Sequence, residues 1–154
     1  MRTRVATLIV LALALAFALP ASAQRSDAPA DPLASAKSIR CTFPNYAAVK
    51  WNGTVGEVLG GAQDLSFQLD SFDFRRNRAQ LVGTTTTLVT LLVTPMGLSA
   101  IEQTLAGNLT VTTVFSGTAS GEGRTYLAVH SRHLAKDMDL PARASQAYGT
   151  CELQ

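Results

Sequence analysis

Leu65-Ser66-Phe67-Gln68-Leu69-Asp70 decides the class of fold. Its apolar residues fall at every second position, the period of a strand with one face on a core and the other in water. Phe72 and Phe74 continue the apolar series with opposite parity, and a one-residue slip of that kind predicts a bulge near Ser71. Arg75-Arg76-Asn77-Arg78 then reads as a polar hairpin tip, with Asn77 suited to a positive φ. Ala79–Gly83 returns as the partner strand.

The same reading extends toward the C-terminus. Leu88–Val93 is apolar on both faces and is expected to be a central strand covered on both sides. Leu98–Thr104 has two readings. Ser99 and Glu102 have capping-box spacing and Gly107 suits a helix end, but such a helix would be too short to hold without tertiary help. The alternative is a strand, a turn at Leu105–Asn108 and a return strand at Leu109–Phe115. The strand is preferred because Leu109, Val111, Thr113 and Phe115 alternate onto one face. Ser116–Arg124 carries Gly117, Gly121 and Gly123 and reads as a loop, without the Gly-Lys-Ser/Thr ending of a phosphate loop. Thr125–His133 and Tyr148–Leu153 are further strands. The expected class is all-β and antiparallel, with about seven or eight strands in a small barrel or a sandwich.

The N-terminus has a different character. Arg2 and Arg4 precede the apolar run Val5–Leu19, Pro20 breaks it, and Ala21-Ser22-Ala23 supplies small residues at cleavage positions. This is the three-part pattern of a secretory signal peptide over residues 1–23. The run is short for a membrane span. Removing 23 of the 154 residues leaves 131, the size of one domain. Residues 24–38 hold Pro29, Pro32 and several Ala and Ser without apolar periodicity, and are expected to be a flexible leader outside the core. Residues 39–154 form the single β domain. An exported location, periplasmic or extracellular, follows, and the Ala-rich signal points to a bacterium.

Charge needs the same correction. The chain has 13 Lys+Arg and 11 Asp+Glu, and the signal removes Arg2 and Arg4 without an acidic residue, so the mature chain is formally neutral. No basic stripe is present, and nucleic acid is not an expected partner. Cys41 and Cys151 are the two cysteines, near opposite ends of the folded segment. In an exported chain they are expected to form a disulfide that ties the first strand to the last.

Few residues suggest chemistry. His130 and His133 are the two histidines. Three residues apart they would share a helix face as a metal pair, but on a strand they point to opposite sides, so no joint metal site and no cofactor is expected. Asp137 and Asp139 are expected in a loop and do not complete a ligand set. Asp70 and Asp73 invite a paired-carboxylate reading, yet a salt-bridged tip with Arg75, Arg76 and Arg78 explains them without catalysis. Arg75, Arg76, Arg78, His130 and His133 remain as candidate contact residues, the arginines for anionic lipid or polysaccharide. No Gly-x-Ser-x-Gly elbow occurs. Asn52-Gly53-Thr54 and Asn108-Leu109-Thr110 match glycosylation sequons, which carry no weight in a bacterium.

Leu127-Ala128-Val129-His130-Ser131-Arg132-His133, with the ending Ala147-Tyr148-Gly149-Thr150-Cys151-Glu152, resembles a group of small exported bacterial proteins of unassigned function. The resemblance covers most of the mature domain and implies an exported β domain, with no activity attached. Ala119-Ser120-Gly121 and Tyr126 loosely resemble the inhibitory loop of bacterial lysozyme inhibitors, with two extra residues between. The expected function is a non-enzymatic binding or interaction module that is not an integral membrane protein and meets an envelope protein, lipid or polysaccharide. The alternatives are a carrier of small apolar ligands with a barrel cavity, a hydrolase inhibitor, or an enzyme using His130 or His133.

Overall fold

The computed structural model describes residues 31–122, 124–135 and 143–154. The expected signal peptide, residues 24–30 of the expected leader, Gly123, Asp137 and Asp139 lie outside the described residues. Eight antiparallel strands follow a single short 3-10 turn, η1 (Pro32–Ser35). They are β1 (Ile39–Asn52), β2 (Val55–Asp73), β3 (Arg78–Val82), β4 (Thr86–Thr94), β5 (Gly97–Gln103), β6 (Leu109–Phe115), β7 (Thr125–Leu134) and β8 (Arg143–Leu153). Each strand pairs with its chain neighbours and β8 pairs back onto β1, which closes an up-and-down barrel. Closure leaves no end strand in need of a second layer, so the barrel and not the sandwich is formed.

The seam carries the disulfide. Cys41 and Cys151 are direct neighbours across β1 and β8, and their sulfurs are bonded. Both are fully buried, among Ile39, Phe43, Leu69, Leu91, Leu98, Val114 and Tyr126. Next to the seam, β1 shifts register at Pro44, a residue tolerated at bulges because it offers no ladder donor. The bulge brings the Thr42 carbonyl so close to Gly149 that a Cβ there would collide with it.

Local signals hold where turn chemistry dictates them. Ser71 and Asn77 both have positive φ, and β2 shifts register between Asp70 and Asp73. Residues 97–103 are strand, with the turn before Leu109 as expected. Two expectations change. Leu88 and Leu92 of the doubly apolar segment face water, because a barrel covers only its inner surface; Val89 and Leu91 are buried inside, and Val93 shares their parity beside Leu98 near the strand end. On β6 the alternating set from Leu109 to Phe115 also faces outward, and Thr112 and Val114 supply the core.

Residues 31–38 are joined to the core they were expected to lie outside. Leu33, 3% exposed, plugs one end of the barrel. Asp31 caps the turn: its Oδ1 accepts from the Leu33 amide at 2.9 Å and from the Tyr126 hydroxyl at 2.8 Å. Pro at the first helical position presets the turn, and one apolar residue among Ala and Ser leaves no periodicity to read. We call this the capped end. The β2–β3 turn, the β6–β7 loop and the C-terminus lie there too.

Candidate functional site

Among the described residues the buried side chains are apolar but for one polar pair. Thr112 on β6 and His130 on β7 are direct neighbours, 1% and 6% exposed, with Thr112 Oγ1 2.9 Å from His130 Nδ1. The Phe43 and Phe67 rings lie 5.5 and 5.0 Å from the imidazole and 5.5 Å from each other. Burial first, and the Arg132 charge second, push the His130 pKa down to about 4. The imidazole is therefore neutral near pH 7. A buried hydroxyl and a buried ring nitrogen satisfy each other, which is what a polar pair inside a core must do. The pair resembles a nucleophile with its base only in distance. It is shut in by aromatic rings, and a catalytic base must reach a substrate proton.

His133 stands on the outside of the same strand. It borders a shallow groove of about 250 Å³ with Ala47, Val49, Val58 and Ala144. The two histidines thus sit on opposite sides of the barrel wall. Among the described residues no three His, Cys, Asp or Glu side chains gather as metal ligands.

The arginines occupy the capped end. Arg75 and Arg76 lie in the β2–β3 turn and Arg78 starts β3. Asp73 organises the turn, with Oδ1 accepting the Arg75 and Arg76 amides at 3.1 and 3.0 Å and Oδ2 paired to the Arg76 guanidinium at 3.0 Å. The Arg76 amide and guanidinium hold its carboxyl below the usual range. Asp70 turns away to accept the Ser71 amide. The two carboxylates therefore do separate structural work.

At the other end the described residues include no counterpart of η1. β1 and β2 run on past their neighbours: β8 stops pairing at Val49–Ala144, while the β1–β2 ladder continues to Asn52–Val55. The projecting ribbon and the start of β8 enclose a pocket of about 380 Å³, lined by Tyr46, Ala48, Lys50, Trp51, Leu59 and Arg143. Register explains the convergence of all but Trp51, which alternates with Lys50 and lies with Val49 over Gly56 on the other face of the ribbon, reaching the pocket at its edge. Tyr46 faces Ala147, which is buried inside, and Ala48 and Lys50 keep that parity; Leu59 pairs with Ala48. Two aromatic rings, an aliphatic side chain and two cations thus meet at the rim of the barrel. Such a mixed lining suits a ligand with an apolar body and an anionic group.

The sequence reading found none of these five side chains. Gly56, Gly60 and Gly61 interrupt the alternation, so residues 45–64 did not register as strand. The signal present was Asn52-Gly53 between apolar stretches, the hairpin dipeptide, with Gly53 at φ 62°. Comparison of the chain with protein-family models, curated proteins and solved structures finds no match.

Proposed function

We infer that the protein is a non-enzymatic exported binding module that takes its ligand at the end of the barrel opposite η1. The observation that carries this is the pocket where Tyr46, Trp51, Leu59, Lys50 and Arg143 converge, on strands that run past the ring. The ligand class is a small amphipathic anion. Its apolar part rests on the rings and its negative group meets the two cations. A carrier that swallows its ligand is the second reading, and the side chains of Phe43, Phe67, Leu69, Leu91 and His130 weigh against it by filling the interior. A hydrolase is disfavoured because the buried Thr112–His130 pair lacks a path to substrate. The signal pattern and the disulfide support export, where such a bond persists.

Trp51 is the one tryptophan and lines the pocket. Titrating the mature domain with decanoate should change its fluorescence saturably. Lys50→Glu with Arg143→Glu should weaken that response at least tenfold, and decanol should bind more weakly than decanoate. No response, or a response indifferent to the charge reversal, counts against the reading.

A further inference from the structure

β2 is the longest strand, and only its second half has two neighbours. β1 pairs with it from Val55 to Leu69, but the ladder to β3 begins at Gln68. From Val55 to Ser66 the other edge of β2 has no strand partner among the described residues. Val55–Ala62 is exposed at every position. The free edge is thus about 40 Å of extended backbone that turns every second pair of N–H and C=O groups toward water. Edges of this kind are ordinarily blunted by lysine, by proline or by shortness. Val55–Ser66 contains no Lys, Arg or Pro. Its charges are Glu57, which lies opposite Lys50 of β1, and Asp64. Past the ring the sheet is only two strands wide, a width that is marginal in water.

We propose that the free edge of β2 pairs antiparallel with the same edge of a second copy about a two-fold axis, joining two ribbons into one four-stranded sheet. The edge lacks a row of extended backbone donors and acceptors, so its complement is another strand. A second copy fits better than a lone segment of another chain. A lone segment would only move the unpaired edge one strand outward. The β2 of a second copy already has β1 on its far side, where just Lys50–Asn52 run past β8. One two-fold contact therefore completes both edges. Charge permits it. Residues directly opposite in an antiparallel pair share a face. Glu57 has the inward parity of Leu59 and Asp64 the outward parity of Ala62, so no two-fold register sets one against the other. A register centred on Leu59 puts Leu59 against Leu59, Glu57 against Gly61 and Val58 against Gly60. It also leaves each Gly53–Thr54 turn beside Leu65 and Asp64 of the other copy, short of the end of β3 at Val82, which faces Gln68. The paired stretch Val55–Gln63 spans about 30 Å and makes about eight backbone hydrogen bonds, as many as a standard interface, over roughly 300 Å² per copy. So small an area gives a reversible dimer at high micromolar concentration and not an obligate one.

Sedimentation equilibrium of the mature chain from low to high micromolar concentration tests this, with backbone amide exchange followed over the same range. The expected result is a monomer–dimer equilibrium, with protection of the Val55–Ala62 amides rising severalfold as the dimer forms. Val58→Lys/Ala62→Lys brings like charges together across the axis at exposed positions. It should return the chain to monomer with the circular dichroism of the native protein. Leu59→Cys, at the axis, should form an intermolecular disulfide on air oxidation. Leu88→Cys, at a more exposed position on the outer wall, should not. A native chain that stays monomeric throughout, a dimer that survives the double lysine variant, or equal cross-linking of the two cysteine variants overturns the proposal. So does protection of Val55–Ala62 that is independent of concentration, because the edge would then be covered within one chain. Lys50 and Arg143 take no part in the edge. The decanoate titration, run at low micromolar protein, therefore stands or fails separately.

Discussion

His130 shows how much one residue can depend on its surroundings. In the sequence it is half of an ambiguous pair; in the fold it is a neutral ring held by Thr112 between Phe43 and Phe67. Its pKa of about 4 lies below the 6.5 expected in an unfolded chain. Between those two values the unfolded chain binds a proton that the folded chain does not, so stability rises with pH there and falls on acidification. The folded pKa is depressed by burial of a base, so the loss begins near pH 6.5 and is complete near pH 4. It amounts to roughly 3 kcal/mol from this residue. Urea unfolding at a series of pH values should show this slope in the native chain. It should be absent from Thr112→Val/His130→Phe, which removes both polar partners together and so leaves neither orphaned. An unchanged slope in the double variant would place the acid sensitivity elsewhere. The parity argument separated His130 from His133 in the sequence, but which of them went inside was not legible. Leu127 and Val129 are the more apolar neighbours, and they face out.

Among the elements, η1 is the least expected and the most economical. A single turn places Leu33 in the core and Asp31 under Tyr126. Burial raises the Asp31 pKa, but the Leu33 amide, the Tyr126 hydroxyl and contacts from Ser116 and Gly117 outweigh it and leave the carboxyl below its ordinary value. Burial first, then Asp31, lifts Tyr126 to about 12. Leu33→Ala should cost about 2–4 kcal/mol, the price of a large-to-small change in a core. Asp31→Ala should cost about 1–2 kcal/mol through the lost cap and the unpaired tyrosine hydroxyl. Equilibrium denaturation of the two variants measures both, and values near zero would mean that the turn does not hold the capped end shut. The strands show the opposite balance. Alternation located β2 from Leu65 onward, and Ser71 and Asn77 marked its bulge and turn, because positive φ and period two are written in local chemistry. The first half of β2 stayed unread, because glycines leave nothing to alternate.

For the whole molecule, the disulfide is where local and global structure meet. Cys41 and Cys151, 110 residues apart, face each other across the strand pair that closes the ring. In the chain-entropy account, a loop of that length restrains the unfolded state by roughly 5 kcal/mol. Replacing both cysteines by serine should lower stability by about 2–5 kcal/mol in denaturant melts, with the β-sheet circular dichroism retained where the chain still folds. Unchanged stability would show that the seam's hydrogen bonds and core contacts close the barrel unaided. The two cysteines in the sequence already required this pairing if they paired within the chain, and the strand periodicities already required an all-β fold, because both follow from residue type and spacing alone. The choice of barrel over sandwich was not determined there, since it depends on β8 returning to β1. Nor was the inner face of a strand such as Leu88–Val93 or Leu109–Phe115, where both parities carry apolar residues and only closure of the ring decides which set is covered. The pocket at the end opposite η1 belongs to the same class. Tyr46, Lys50, Leu59 and Arg143 come from three strands, and no local period can bring them together; the register of a closed sheet does, and Trp51 joins them from the other face at the ribbon's edge.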